Sequence, residues 1–235
     1  MDDRATRYRA LVSARRACRR CMGLVNASAV RNGEFDSAEI GPWTRWLGDL
    51  SARVLIVGQD WGDRRSFEKQ EGRDVAHSAT NRMLRELLAS IGVQVPDVGV
   101  AAGPSGVFLT NAVLCFKDQG CQGPVRDEWF RTCGTAFLRP LIELLSPTVV
   151  ICLGERAYGA VLSSYGLPAQ TSWRAAVEGP GTPLPKGPTA FAVYHCGRRI
   201  LNTHRKRDPQ FRDWQRIAAV LNDAQARGGP ATGSI

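Results

Sequence analysis

Three polar side chains with acid–base or hydrogen-bonding chemistry lie just after three separate apolar runs of this sequence: Asp60, Asn111 and His195. A carboxylate and an imidazole are common acid–base groups, and an amide offers a hydrogen-bond donor and acceptor side by side. Taken singly, Asp60 could be a turn residue, Asn111 a strand-end cap and His195 a satisfied core histidine. Their shared placement after successive apolar runs instead predicts one common site.

The cysteines are the second candidate source of chemistry. The chain has seven of them, and Cys18 and Cys21 form a Cys-x2-Cys pair. An odd number of cysteines without a secretory signal segment argues against a disulfide framework. Thiolates are preferred ligands of iron–sulfur clusters and zinc. Metal binding or a set of buried thiols explains these residues better than disulfide bonds do.

The elements that must position these groups are predicted from hydrophobic periodicity. Four short apolar runs are rich in β-branched or aromatic residues and are continuous rather than alternating, which is typical of strands covered on both faces. Helical patterns separate them, so we predict an α/β protein, a three-layer α/β/α sandwich around a central, mainly parallel four-stranded sheet. Ligands of such sheets bind beyond the carboxyl ends of the strands, where Asp60, Asn111 and His195 would meet. The predicted strands are 54–57, 107–110, 148–153 and 190–194.

The remaining segments complete a prediction of one domain over residues 1–225, with a flexible tail at 226–235. The first 21 residues form a basic helical pattern, and residues 167–189 are rich in Pro and Gly and indicate a long surface loop. Helices are predicted around 83–91, with Gly92 closing the helix, at 127–145 with a kink or fresh start at Pro140, at 155–165, and from Asp208 onward.

The charge balance favours a polyanionic partner. The formal net charge is +9 and the isoelectric point is about 9.6. Nucleic acid is the first expectation, ahead of a membrane surface, and a basic surface kept for solubility is the alternative. No apolar run approaches the roughly 20 residues that span a bilayer, and no apolar signal segment opens the chain. We expect a soluble, monomeric, cytoplasmic protein associated with the nucleoid.

Four segments together resemble the motifs of the uracil-DNA glycosylase superfamily, in the family's order. The segment 54–60 is similar to its first motif, and 106–115 to the strand with its base-reading asparagine. The segment 149–157 is similar to its third strand and turn. His195-Cys196-Gly197 stands where the family carries a His-Pro-Ser type motif. The resemblance covers about residues 15–225 and implies an enzyme that removes a damaged base from DNA.

The cysteines resemble the ligand set of the iron–sulfur (family 4) branch of that superfamily. The resemblance implies a 4Fe-4S cluster held by Cys18, Cys21, Cys115 and Cys133, with zinc or buried thiols as alternatives. Cys121 lies between the last two and could substitute for one of them. Cys152 is mid-strand and is predicted to be core, and Cys196 stays unassigned.

The resemblance also implies roles for the site residues. Asp60 would activate water and offset positive charge on the sugar, His195 would hydrogen-bond the leaving base, and Asn111 would read the Watson–Crick edge of a flipped base. The backbone at Gly58 and Gln59 would bind the base or a phosphate. Further expected contacts are a stacking aromatic, with Phe67 favoured and His77 and Trp61 as the alternatives, and phosphate-binding Arg198, Arg199, Arg205 and Lys206.

The sequence also departs from the branch. The branch usually has Glu-Ala-Pro where this chain has Gln59-Asp60-Trp61, and Gly62 follows where a classical uracil enzyme has a thymine-excluding tyrosine. Uracil is therefore the first expected substrate, with room for a 5-substituent or larger base. The alternatives are a non-catalytic iron–sulfur module that binds nucleic acid, or an unrelated doubly wound enzyme. The latter would need a Gly-rich phosphate loop after a strand, and none is present.

Overall fold

The computed structural model describes residues 3–41, 49–75, 77–97, 105–117, 123, 125–168 and 172–228. The helices are α1 (Asp3–Ala17), α2 (Arg64–Lys69), α3 (Ala79–Ser90), α4 (Asp127–Cys133), α5 (Arg139–Leu145), α6 (Glu155–Ser164), α7 (Trp173–Glu178), α8 (Arg198–Thr203) and α9 (Arg207–Gly228). The strands are β1 (Leu24–Val25), β2 (Val54–Gly58), β3 (Val107–Asn111), β4 (Phe116–Lys117), β5 (Val149–Leu153), β6 (Thr182–Pro183) and β7 (Thr189–Val193).

The central sheet confirms the predicted α/β class. Its strand order is β3-β2-β5-β7-β6, and the first four strands are parallel neighbours at the predicted places in the chain. A separate two-stranded ribbon pairs β1 with β4 antiparallel. Because β2, β3, β5 and β7 run the same way, their carboxyl ends all open on one edge of the sheet.

The segment predicted as a long loop, 167–189, holds more structure than expected. Helix α7 lies within it, and β6 adds a fifth, antiparallel strand at the edge of the sheet. The prediction of four strands and a loop missed both elements. Pro183 removes a backbone donor, which only an edge strand tolerates, so local sequence did not indicate a strand there.

Both faces of the sheet are covered, which explains the continuous apolar runs. Every residue of β2, β3 and β5 is buried. Val54 and Ile56 point to one face, where α3 and α9 supply Leu87 and Trp214. Leu55 and Val57 point to the other face, which α1, α5, α6 and α7 cover. The molecule is the predicted three-layer sandwich.

The helical segments at 127–145 and near the end of the chain follow the prediction with small differences in bounds. The segment 127–145 is helical throughout, and a π-helical stretch, Gly134–Leu138, separates α4 from α5. Helix α5 begins at Arg139 with Pro140 in its first turn, which confirms the predicted fresh start there. The last helix begins at Arg207 and continues to Gly228, past the predicted start of the tail at 226. Residues 229–235 lie outside the described part of the chain. Among the helices described, none is long and apolar enough to cross a membrane.

The apolar face of α3 should carry a large share of the stability. Leu87 is fully buried between the sheet and α9, so Leu87→Ala should lower the free energy of unfolding by about 2–5 kcal/mol. Exposed Arg82 on the same helix is the matched control, because Arg82→Ala should change that free energy by no more than about 0.5 kcal/mol. Urea unfolding followed by circular dichroism measures both. Equal effects of the two substitutions would contradict the assigned face.

Candidate active site

A large cavity opens where the parallel strands end. Its volume is about 660 Å³, and the loop Gly58–Gly62 after β2 forms part of its wall, together with Asn111, Gly154 and His195 from the ends of the other three strands. The prediction that Asp60, Asn111 and His195 converge on one edge of the sheet is what the structure shows. Leu84, Leu109 and Leu153 add apolar surface to the lining. The cavity thus combines apolar walls with a few polar groups, as ligand sites usually do.

Asp60 is held by three donors. The backbone N–H of Gly62 donates to Oδ1 at 2.9 Å, and Nε2 of Gln59 donates to Oδ2 at 2.8 Å. Nζ of Lys117 lies 3.1 Å from the same Oδ2, and the Lys117 and Asp60 side chains are only 5% and 9% exposed. Gly62 makes this turn with a φ of +76°, a conformation that glycine adopts without strain. Asp60 is therefore a nearly buried, ion-paired carboxylate at the cavity wall.

Asn111 and Gly58 touch across the sheet. They are register partners in the parallel β2–β3 pair, and a Cβ placed on Gly58 would lie 2.2 Å from Oδ1 of Asn111. Any side chain at position 58 would therefore displace the amide. Asn111 is 7% exposed and lines the cavity. The absence of a side chain at Gly58 is what leaves room for the Asn111 amide.

His195 is oriented by the turn that follows β7. The backbone N–H of Gly197 donates to Nδ1 of His195 at 2.9 Å, so a neutral imidazole carries its proton on Nε2. A Cβ on Gly197 would come within 2.8 Å of that same Nδ1, so any other residue there would require the His195 ring to shift. Cys196 between them is fully buried, and its thiol contacts the carbonyl of Thr80 in α3 at 3.6 Å. The His-Cys-Gly turn is thus anchored without a proline.

Phe67 does not occupy the position expected of a stacking aromatic. Its side chain is fully buried and is absent from the cavity wall, and its ring lies 4.8 Å from that of Phe116. Phe116 also contacts Trp61 edge-on, at 5.6 Å between ring centroids. The three rings instead form an apolar cluster beneath the loop that carries Asp60. Phe67 packs there because its position on α2 turns it towards the protein interior.

The predicted phosphate contacts divide into two kinds. Arg198 and Arg199 on α8, and Lys206 after it, are exposed on the segment that follows His195. Arg205 instead forms an ion pair with buried Asp213 through two hydrogen bonds and lies over the ring of Tyr194. Asp213 raises the pKa of Arg205 through these contacts. The Arg205 guanidinium is thus paired with an internal carboxylate while its side chain stays 25% exposed, and its contact with phosphate stays a prediction.

The four predicted cluster cysteines line one small cavity. Cys18, Cys21, Cys115 and Cys133 surround a space of about 70 Å³, with Arg15, Arg19 and Arg20 also in its wall. Burial raises the pKa of the Cys133 thiol to about 11. Burial also raises the pKa of Cys115, with a further contribution from the other three thiols. A metal group bound here would release protons from these thiols.

The described residues contain no group of three or more His, Cys, Asp or Glu side chains gathered closely enough to hold a metal ion as they stand. The other cysteines fall elsewhere. Cys152 is fully buried in β5, as predicted. Cys196 packs on the face of the sheet that carries α3 and α9, away from the four thiols. Cys121 lies outside the described residues.

Two polar residues of the site had escaped sequence analysis. Lys117 follows an aromatic residue in a two-residue strand, and no local pattern marks its pairing with Asp60. Asn81 is 1% exposed and lines the cavity; its Nδ2 donates to the carbonyl of Val75, and its Oδ1 has no hydrogen-bond partner among the described residues. The signal for Asn81 was an amide on the helical stripe that it shares with Leu84 and Leu88.

Comparison with known proteins agrees with this arrangement. The family model of the uracil DNA glycosylase superfamily matches residues 46–218. The chain is 26% identical to a type-5 uracil-DNA glycosylase of Pyrobaculum aerophilum over 223 residues, which cover 90% of this chain and 89% of the relative. It is 26% identical to a type-4 uracil-DNA glycosylase of Archaeoglobus fulgidus over 182 residues, covering 76% of this chain and 82% of the relative. With the family's motifs at the ends of four parallel strands around one cavity, the chain belongs to the uracil-DNA glycosylase superfamily.

Proposed function

We propose that this protein is a monofunctional DNA glycosylase that flips a damaged base out of DNA and hydrolyses its N-glycosidic bond in base excision repair. The observation that carries the proposal is the convergence of Asp60, Asn111 and His195 on a single cavity. The names of the relatives, both uracil-DNA glycosylases, support the same reaction. Uracil is the first substrate to test.

The site chemistry suits the two charges that develop when an N-glycosidic bond breaks. The Asp60 carboxylate would offset the positive charge on the sugar. An ionised carboxylate has about four lone-pair positions, and three donors reach Asp60. The remaining position would accept a proton of the attacking water. His195 would donate from Nε2 to the departing base, because Gly197 occupies Nδ1.

Base selection would rest on Asn111 and on the space beside Gly62. The Asn111 amide would pair with the donor and acceptor of a flipped pyrimidine edge. Gly62 lines the cavity without a side chain, so a 5-substituent would meet no steric barrier from that position. We therefore propose uracil as the substrate, with hypoxanthine, xanthine and mismatched thymine as the further bases to test.

The four thiols are proposed to hold a 4Fe-4S cluster. They line one cavity, and three arginines beside it would offset the negative charge of a thiolate-ligated cluster. Around one zinc ion, with Zn–S bonds of about 2.3 Å, neighbouring sulfur atoms would lie only about 4 Å apart. The described side chains form no such compact group as they stand, so the proposal of a cluster depends on the four cysteines that share one cavity, and zinc is the alternative to test. Bound there, the cluster would brace α1, β4 and α4 against one another.

DNA would be bound along the exposed basic side chains beside His195. Arg198, Arg199 and Lys206 are solvent-exposed there, and the net charge of +9 favours a phosphate backbone. Because DNA is the proposed substrate, we place its action in the cytoplasm at the nucleoid.

Excision should depend on Asp60. Anaerobically purified protein should release uracil from an oligonucleotide, and Asp60→Asn should slow release by about 10²–10⁴-fold, the range for loss of an acid–base group. Asp127→Asn, at an exposed position on α4, is the matched control and should excise normally. Unfolding of each variant must be measured, since Asp60 is ion-paired. Salt-dependent DNA binding without release of uracil, hypoxanthine, xanthine or mismatched thymine would favour a non-catalytic nucleic-acid-binding module instead.

The iron content of the protein should depend on the cysteines that line the small cavity. Cys115→Ala and Cys133→Ala should each abolish the visible absorption and the iron of a 4Fe-4S cluster, because each removes a proposed ligand. Cys152→Ala and Cys196→Ala are the controls, since those thiols are buried elsewhere, and they should keep both signals. Iron retained in all four variants would contradict the ligand assignment.

The salt dependence of DNA affinity should show whether exposed Arg198 and Arg199 contact phosphates. Arg198→Ala and Arg199→Ala should each reduce the slope of log K against log salt by about one. Arg174→Ala is the control, because Arg174 is 80% exposed and forms an ion pair with Glu178 on α7, and the slope should not change. Fluorescence anisotropy at several salt concentrations gives the slopes. An unchanged slope in both arginine variants would place the DNA elsewhere.

A further inference from the structure

Lys117 is a buried lysine that contacts Asp60, a residue of the cavity wall, without lining the cavity itself. Its side chain is 5% exposed, and its Nζ lies 3.1 Å from Oδ2 of Asp60, which is itself 9% exposed. Lysine is almost never fully buried unless its charge is paired. Removing one member of such a pair leaves the other charge uncompensated in a poorly solvated place. The position of Lys117 is therefore tied to the Asp60 carboxylate.

A short segment with fixed hydrogen bonds leads to Lys117. After β3 ends at Asn111, the backbone continues alongside the Asp60 loop. The N–H of Ala112 donates to the carbonyl oxygen of Gly58 at 2.8 Å, and the N–H of Val113 donates to that of Gln59 at 3.0 Å. Lys117 then pairs with Leu24 in the β1–β4 ribbon. The seven residues from 111 to 117 thus run directly from the base-reading amide to the ion pair.

The residues on either side of β4 hold that segment in place. Phe116 is fully buried and contacts both Trp61 and Phe67. Cys115 lines the small cavity with the other three thiols. The backbone of Lys117 is therefore fixed by an aromatic cluster, a ribbon and the thiol cavity. An ammonium group on such an anchored backbone can restrain its partner's side chain.

The pairing leaves Asp60 with one defined arrangement. Lys117 and Gln59 both bind Oδ2, while the Gly62 N–H is the single donor to Oδ1 among the residues that the structure describes. Rotation of the carboxylate about its Cβ–Cγ bond would break contacts with a full charge and with two hydrogen-bond donors at once. The less occupied oxygen, Oδ1, is thereby kept for a further hydrogen bond, such as that from a water molecule.

We propose that Lys117 is a positioning residue for Asp60, which fixes the carboxylate so that its remaining lone pair is presented to the attacking water. Lys117 acts through Asp60 and is absent from the cavity wall. This inference rests on the proposed glycosylase function.

The test separates the rate of the chemical step from DNA affinity. Lys117→Met keeps the apolar stem and removes the ammonium group; it should lower the single-turnover rate of uracil excision at least tenfold. The dissociation constant for DNA that carries a tetrahydrofuran abasic-site analogue should change less than twofold. Lys117→Arg, which keeps the charge, should recover at least a third of the wild-type rate. Lys186→Met, at a lysine 71% exposed beside Glu143, is the matched control and should match the wild type.

A purely structural role would give a different result. It would lower DNA affinity and rate together, and Lys117→Arg would not restore the rate; either this pattern or a wild-type rate in Lys117→Met would overturn the proposal. If Lys117→Met does not fold, Lys117→Gln is the second neutral variant, with the same expected outcome.

A double-mutant cycle of unfolding midpoints tests the Lys117–Asp60 pairing without relying on the proposed function. Asp60→Asn and Lys117→Met should each lower the unfolding midpoint, and the double variant should lose less than the sum of the two shifts, because it buries no unpaired charge. Additive shifts would show that the two groups are not coupled and would overturn the inference. Absence of excision by the wild-type protein would instead contradict the proposed function, and the cycle would still report on the pair.

Discussion

The parallel pairing of β2 with β3 and β5 is the constraint on which the rest of the site depends. Strand β2 lies between them with all five of its residues buried, so a one-residue shift of its register would exchange the side chains packed on its two covered faces. That register sets Gly58 beside Asn111 and leaves no space for a side chain between them. Because the neighbouring strands point the same way, the loops that follow them must share one edge. The cavity is a consequence of this packing.

One short stretch of chain connects three features that seem separate in the sequence. Asn111 lines the large cavity, Cys115 lines the thiol cavity, and Lys117 pairs with Asp60. Only a few residues separate them, so one short stretch of backbone joins the thiol cavity to the Asp60 ion pair and the large cavity. Arg15 strengthens the connection: it borders the thiol cavity and lies over the Trp61 ring, 5.4 Å from its centroid. The thiol cavity is therefore connected to the Asp60 loop both through the backbone and through the Arg15 side chain.

The electrostatics around Asp60 follow from the burial of its carboxylate. Asp60 is almost removed from solvent, and a lone buried carboxylate would be costly to keep charged. The Lys117 ammonium group and the donors from Gln59 and Gly62 supply the compensation. Arg205 illustrates the same rule outside the cavity, where it compensates buried Asp213. In both places, a basic side chain compensates a buried carboxylate: Lys117 for Asp60 and Arg205 for Asp213.

The sequence by itself determined the fold class, the four main strands and the convergence of Asp60, Asn111 and His195, because continuous apolar runs and their order in the chain are local and directional signals. It also indicated the four cysteines that line one cavity, through the family resemblance. Only the tertiary structure decided that Phe67 is buried, that Arg205 is paired and that Lys117 reaches Asp60. Those outcomes depend on which distant surfaces come into contact: the direction in which α2 turns Phe67, the approach of α9 to Arg205, and the register of a two-residue strand. Such contacts between distant segments leave no periodic pattern along the chain, and so they could be established only from the folded protein.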